Sequence, residues 1–305
     1  MSSTDLSALP EGAQYISAVI RDELTCLEIR HPLFTADLLL QGAQLISYAP
    51  EGEQNWLWLS ELAEYKSGKS LRGGIPVCWP WFGNTDKNPP AVQAQIKDIN
   101  SASAHGFARE RDWHITELEE DDESILVILT LTDCTHSLWR SSLSVEAEFR
   151  FTGSCLSLTL TTENIDEKTV SFSQALHTYF PTADISKTRV AGFDGTTYID
   201  TLDNWQEKQQ RGDIEFREET DRIYYAEEPV TLQTPGYQLE LNTQGSSSAV
   251  VWNPWIEKAK ALSQFADDAY QRMFCVETAN AAADAITLAA GESHSLRLLL
   301  SKAVK

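Results

Sequence analysis

Two phrases in the chain each set one titratable side chain in an apolar, aromatic run: Gln174-Ala175-Leu176-His177-Thr178-Tyr179-Phe180 and Met273-Phe274-Cys275-Val276-Glu277-Thr278. A buried ionisable group without a partner is costly, so such residues call for a neighbour or a ligand. An imidazole and a carboxylate can trade protons with that ligand. Leu71-Arg72-Gly73-Gly74-Ile75-Pro76 and Ala104-His105-Gly106-Phe107-Ala108-Arg109 add two guanidiniums and a second imidazole. The planar guanidinium fork suits phosphate. Singly, each residue has an ordinary structural reading: a satisfied core histidine, a paired acid, a surface arginine. Together they point to an acid/base site for an anionic small molecule.

Strand periodicity must position them. In 170–180, Val170, Phe172, Leu176 and Phe180 share one face, and Ser171, Ser173, Ala175, His177 and Tyr179 the other. Glu277 falls beside Met273 and Cys275, with Phe274 and Val276 opposite. Period-two alternation is plain in Leu143, Val145, Ala147, Phe149 and Phe151 and in Leu156, Leu158 and Leu160, joined by a turn at Thr152-Gly153-Ser154. Other strand candidates are 15–20, 24–30, 34–40, 43–48, 124–132, 169–180, 229–242, 248–252, 272–278 and 293–302. Helices are scarce, with one short helix expected from Trp58 to Tyr65. The fold class is all-β, a large antiparallel β-sandwich. Glu117 to Glu123 reads as a hairpin turn. The loop-like stretch Gly83 to Ser103 is long enough to be functional. No linker divides the chain, so one domain over 1–305 is expected, with the first 12 or so residues a flexible tail.

Composition narrows the partners. The net charge is −21, which excludes nucleic acid and anionic membranes as partners and requires a local cationic cluster to hold an anion. No segment approaches the roughly 20 apolar residues of a membrane helix. Met1 to Pro10 lacks a secretory-signal profile. The cysteines (Cys26, Cys78, Cys134, Cys155 and Cys275) are odd in number and scattered, which suits reduced thiols in the cytoplasm. His31, His114, His136 and His294 share no spacing. The chain has no HExxH or CxxC, no GxGxxG after a strand, no GxxxxGK[ST] and no GxSxG. No metal and no cofactor is therefore expected.

From about Leu38 to the C-terminus the motifs resemble the hexose-6-phosphate mutarotases (glucose-6-phosphate 1-epimerases) of the aldose 1-epimerase superfamily. The resemblance is carried by Arg72-Gly73-Gly74-Ile75-Pro76-Val77-Cys78-Trp79-Pro80-Trp81-Phe82-Gly83, His105-Gly106-Phe107-Ala108-Arg109, Leu176-His177-Thr178-Tyr179-Phe180, Glu219-Thr220-Asp221-Arg222-Ile223-Tyr224, Val251-Trp252-Asn253-Pro254-Trp255-Ile256-Glu257-Lys258 and Cys275-Val276-Glu277. It implies a galactose mutarotase-like supersandwich with the site in a concave sheet face. It implies His177 and Glu277 as catalytic residues and Arg72, Arg109, His105 and Asp221 as ligand-binding residues. The chemistry of an anomeric centre then makes Glu277 the base and His177 the acid, and their like settings on strand faces lead us to expect them to face each other across the sugar ring. By composition alone Glu218-Glu219-Thr220-Asp221 passes for a solvated acidic turn. Ala104 stands where some members carry a ligand-contacting glutamine, and the continuation Glu277-Thr278-Ala279-Asn280 also departs from the family pattern. Both bear on substrate preference.

The expected ligand is a sugar phosphate, the expected state a monomer. The alternatives are an aldose 1-epimerase acting on neutral sugars, a non-catalytic sugar-phosphate-binding protein, and a glycosidase using Asp221 and Glu277. The last leaves His177 without a role.

Overall fold

The computed structural model describes residues 13–226 and 229–303; the N-terminal tail expected from the sequence lies outside them. The fold is an antiparallel all-β sandwich. A nine-stranded sheet runs in the order Ile214–Glu215, Arg189–Ala191, Val230–Gln233, Gln238–Gln244, Ser293–Lys302, Cys155–Asn164, Leu143–Thr152, Ser124–Leu131 and Trp113–Glu120. The second large sheet runs Gln206–Gln209, Thr197–Asp200, Thr220–Tyr225, Ser248–Asn253, Met273–Asn280, Gln174–Leu176 and Val77–Cys78, with Tyr179–Pro181 also paired to Met273–Asn280. A four-stranded meander, Ile16–Arg21 to Gln44–Pro50, and a two-stranded pair, Val170–Phe172 with Ile286–Leu288, complete the strands.

Alternation in sequence becomes alternation in burial. Leu143, Val145, Ala147, Phe149 and Phe151 are buried, and Phe149 sits opposite Leu158 and Phe151 opposite Leu156. The turn between these strands is held by the Thr152 hydroxyl, which accepts from the amides of Ser154 and Cys155. The Asp121 carboxylate does the same for Glu123 and Ser124, so the end of the acidic stretch closes a hairpin, while Glu117 to Glu120 belong to the strand before it. Phe274, Val276, Leu176, Phe180 and Val251 turn to the same apolar core as Leu158 and Leu298. Their strand neighbours are thereby committed to the other face of the second sheet.

Three expectations need correction. Trp58 to Tyr65 is not a helix. The Trp58 amide donates to Tyr179 O and that of Ser60 to Arg72 O, while Trp56 and Trp58 enter different apolar clusters. Donors committed to other segments cannot build a helical ladder. The helices are instead Pro90–Gln93, inside the long loop, and Trp255–Ala261. Next, 169–180 is three short strands serving two sheets. Last, 229–242 is a hairpin, its two strands paired from Val230 with Leu241 to Gln233 with Gln238.

Candidate active site

Sheet register assembles the site. Asp221 lies opposite Trp252, Trp252 opposite Cys275, and Cys275 opposite Tyr179. Two residues along, Ile223, Val250 and Glu277 form the next row on that face. Then come Ser248, Ala279, Ala175 and Cys78, small buried residues, three of them in an apolar cluster against which Phe82 and Trp205 pack. Asp221 is thus the second residue of a strand, not part of a solvated turn. Its side chain is 28% exposed.

His177 occupies a gap in the ladder. Leu176 pairs with Thr278 and Tyr179 with Cys275, which leaves His177 opposite Glu277. The amides of His177 and Tyr179 donate instead to Pro76 O and Gly74 O. The Gly73-Gly74 pair after Arg72 lets this segment also pack on its other neighbours: Gly74 has φ +64°, and a Cβ there would lie 2.1 Å from Leu45 O. His105 and Gly106 both adopt φ +68°. This turn sets the His105 ring edge-on to His177, with centroids 5.6 Å apart. Tyr179 stacks on the other side of His177 at 4.8 Å.

All six residues singled out in the sequence, Arg72, His105, Arg109, His177, Asp221 and Glu277, line one cleft of about 630 Å³. A second lobe of about 310 Å³ opens from Arg72, His105, Arg109 and His177 and adds Lys69 and Gln264. His177 Nε2 lies 3.3 Å from Glu277 Oε1. The pair sits side by side on one sheet face, not opposed across a ring-sized gap. Glu277 is 2% exposed, and its Oε2 and His177 Nδ1 have no hydrogen-bond partner.

The electrostatics follow from burial. Desolvation raises the Glu277 carboxyl well above the usual range, and Asp221 adds to this. Desolvation, then His105, Arg72 and Arg109, hold His177 well below an ordinary imidazole. Burial thus disfavours the charged form of each partner, carboxylate and imidazolium alike. Burial, then Arg109 and Arg72, lower His105 to about 3. It is neutral, and since its Nδ1 accepts from the Gly83 amide, its Nε2 carries the hydrogen. Burial raises Asp221, opposed by Lys258, whose Nζ is 3.9 Å from Asp221 and 3.2 Å from Glu219.

Arg72 makes one side-chain hydrogen bond, 3.4 Å to the Tyr179 hydroxyl, and Arg109 donates to Ala104 O at 2.8 Å. The Arg109 Nε is buried without a partner. Among the described residues neither guanidinium has a carboxylate within 4.0 Å.

Trp205 at the cleft wall was not singled out in the sequence, whereas Phe82 and Lys258, also at the wall, and Cys275 beneath it belong to motifs that were. Cys275 had a legible signal, since it is two residues from Glu277 on one strand face. The His177, Cys275 and Glu277 ligand atoms all lie within 4.8 Å of one another. Trp205 reaches the cleft from a separate segment, and no local pattern marks it.

Comparison with known proteins bears on family and fold. The family model described as aldose 1-epimerase matches residues 25–301. A protein of Escherichia coli (strain K12) named "Putative glucose-6-phosphate 1-epimerase" is 34% identical over 272 residues, covering 85% of this chain and 84% of its own. A Salmonella typhimurium protein of the same name is 32% identical over 285 residues, covering 90% and 91%. The crystal structure of a "putative mutarotase" from Salmonella typhimurium superposes with a TM-score of 0.83 at 28% identity, over 97% of each chain. A chain with this supersandwich, this cleft and a family match along nearly its whole described length belongs to the aldose 1-epimerase family.

Proposed function

We propose that the protein interconverts the α and β anomers of a hexose 6-phosphate, glucose 6-phosphate first among them. Glu277 takes the proton of the C1 hydroxyl while His177 delivers one to the ring oxygen. The C1–O5 bond breaks, the aldehyde turns about C1–C2, and closure runs the transfers in reverse. Both oxygens are bonded to C1, so an acid and a base side by side can serve them. Each group contributes about 10²–10⁴ in rate. The neutral His105 and Asp221 orient sugar hydroxyls.

The observation that carries the phosphate is the pair of guanidiniums, Arg72 and Arg109, without carboxylate partners in a chain of net charge −21. C6 hangs from C5, the carbon on the far side of the ring oxygen. The phosphate then falls on the His177 side of the cleft, where both arginines and the Lys69 lobe lie. A bound dianion also offsets two of the charges that depress His177, favouring the imidazolium that the acid step needs.

The remaining elements of the reading are one domain, a monomer and a cytoplasmic setting. One apolar core drawing on residues from Ile16 to Leu300 supports the first. Five free cysteines support the third. No helix among the described residues is long and apolar enough to cross a membrane.

The test is anomer exchange followed by magnetisation-transfer NMR on glucose 6-phosphate and on glucose. Catalysis favouring the phosphate supports the proposal. Preference for glucose supports a neutral-sugar epimerase, and binding without exchange a sugar-phosphate-binding protein.

A further inference from the structure

We propose that Cys275, His177 and Glu277 form an inhibitory binding site for a soft tetrahedral divalent cation, with zinc as the type, on the floor of the cleft. No metal motif marks it in the sequence, because the three ligands come from two segments that meet only through sheet register. Sγ, the imidazole nitrogen and the carboxylate oxygen lie within 4.8 Å of one another. Zinc bonds to nitrogen and oxygen of roughly 2.0–2.2 Å put neighbouring ligand atoms of a tetrahedron about 3.3–3.5 Å apart. The 3.3 Å between His177 Nε2 and Glu277 Oε1 already matches that edge. Cys275 Sγ needs only to close by an ångström or so, within the reach of its single side-chain torsion.

Two further observations point to a ligand. Glu277 is 2% exposed, yet its Oε2 has no partner. The three side chains also supply one thiol, one imidazole and one carboxyl, a donor set suited to zinc. On binding, the Cys275 thiol releases its proton and the His177–Glu277 pair releases the one it shares. The resulting thiolate and carboxylate neutralise the dication, so Arg72 and Arg109 keep their places. The fourth coordination position faces the cleft and takes water.

This site inhibits because the cation occupies the two groups that must move protons. Its affinity is limited, because His177 Nδ1 lacks the carbonyl or carboxylate that usually backs a histidine ligand. That makes the cation a reversible inhibitor competing with sugar, not a resident component.

The experiment uses the full-length protein freed of metal, and the site does not depend on which sugar is turned over. Cobalt(II) as probe is expected to give one equivalent of tetrahedral d–d absorption with a near-ultraviolet thiolate-to-cobalt band, and zinc is expected to displace it. Buffered zinc is expected to inhibit anomer exchange, with EDTA restoring it. Cys275→Ser is expected to lose the charge-transfer band and to need about 100-fold more zinc or beyond, since loss of a group merely backing a ligand costs 10–100-fold. Cys275→Ala repeats the test should serine disturb the buried site. No thiolate band in the wild type overturns the proposal. So does a band, or zinc sensitivity, that survives in both variants, which would place the cation on Cys134 or Cys155.

Discussion

Arg72→Ala tests the phosphate reading most cleanly. Arg72 has no carboxylate partner among the described residues, and its one side-chain hydrogen bond is long, 3.4 Å to the Tyr179 hydroxyl. Removing it therefore disturbs the fold little. A charge-assisted hydrogen bond to a bound phosphate is worth about 1.5–3 kcal/mol, or roughly 10–150-fold in equilibrium terms. The KM for glucose 6-phosphate is expected to rise by that factor. Glucose carries no phosphate, so its exchange is expected to hold or to gain slightly, because Arg72 is among the charges that hold His177 down. Arg109→Ala is a harsher arm, since Arg109 also anchors Ala104 O. Exchange rates on both sugars, measured by NMR across a concentration series, give the two KM values directly. Equal losses on phosphate and free sugar would refute the reasoning and make both arginines structural.

His177→Asn and Glu277→Gln are each expected to cut exchange by about 100-fold or more with circular dichroism and melting intact; a near-wild-type rate in either would remove that residue from the mechanism. Exchange is expected to survive dialysis against EDTA, because the pair supplies both proton transfers; activity lost and then restored by a divalent ion would contradict it. Gly74→Ala and Gly106→Ala are expected to destabilise by several kcal/mol, since each new Cβ would lie about 2 Å from a backbone oxygen, of Leu45 and Trp79 respectively; a denaturant midpoint unchanged in both would show that the turns can relax.

Legibility in the sequence followed locality. The strands with clean period-two patterns, such as Leu143–Thr152 and Cys155–Asn164, kept their faces and their turn. Parity placed Glu277 with Cys275 and away from Phe274 and Val276, and register put all of them where parity had them. What stayed hidden depended on contacts between distant segments. The break at His177 arises because Gly74 and Pro76 take amides that the ladder would have used. The false helix at Trp58 has a related cause, donors committed to Tyr179 and Arg72. Asp221 looked like part of a solvated turn because nothing local shows that Trp252 lies opposite it. The family resemblance supplied that residue where pattern could not.

The pH dependence follows from the coupled pair and reads differently from two isolated groups. With ordinary values of about 4.3 and 6.5, a carboxylate base and an imidazolium acid would coexist between those limits. Burial instead moves Glu277 up and His177 down, which favours the form in which the pair holds a single proton. The limbs of the profile then belong to the pair and not to either residue. The productive form has that proton on His177, and phosphate on Arg72 and Arg109 shifts it there. Glucose 6-phosphate is therefore expected to give a bell-shaped rate profile with a one-proton plateau. In His177→Asn the acid is gone and any residual rate needs ionised Glu277. Because the Glu277 carboxyl is raised by burial, it is protonated at lower pH and becomes a base only as pH climbs through that raised value. The residual rate is expected to rise with pH well above the usual carboxylate range and to show no falling limb. Rates at fixed ionic strength, corrected for the uncatalysed exchange that base also accelerates, decide the point. A falling limb retained in His177→Asn at its wild-type position would mean that another group delivers the proton to the ring oxygen, with Tyr179, stacked on the same imidazole, the first to test.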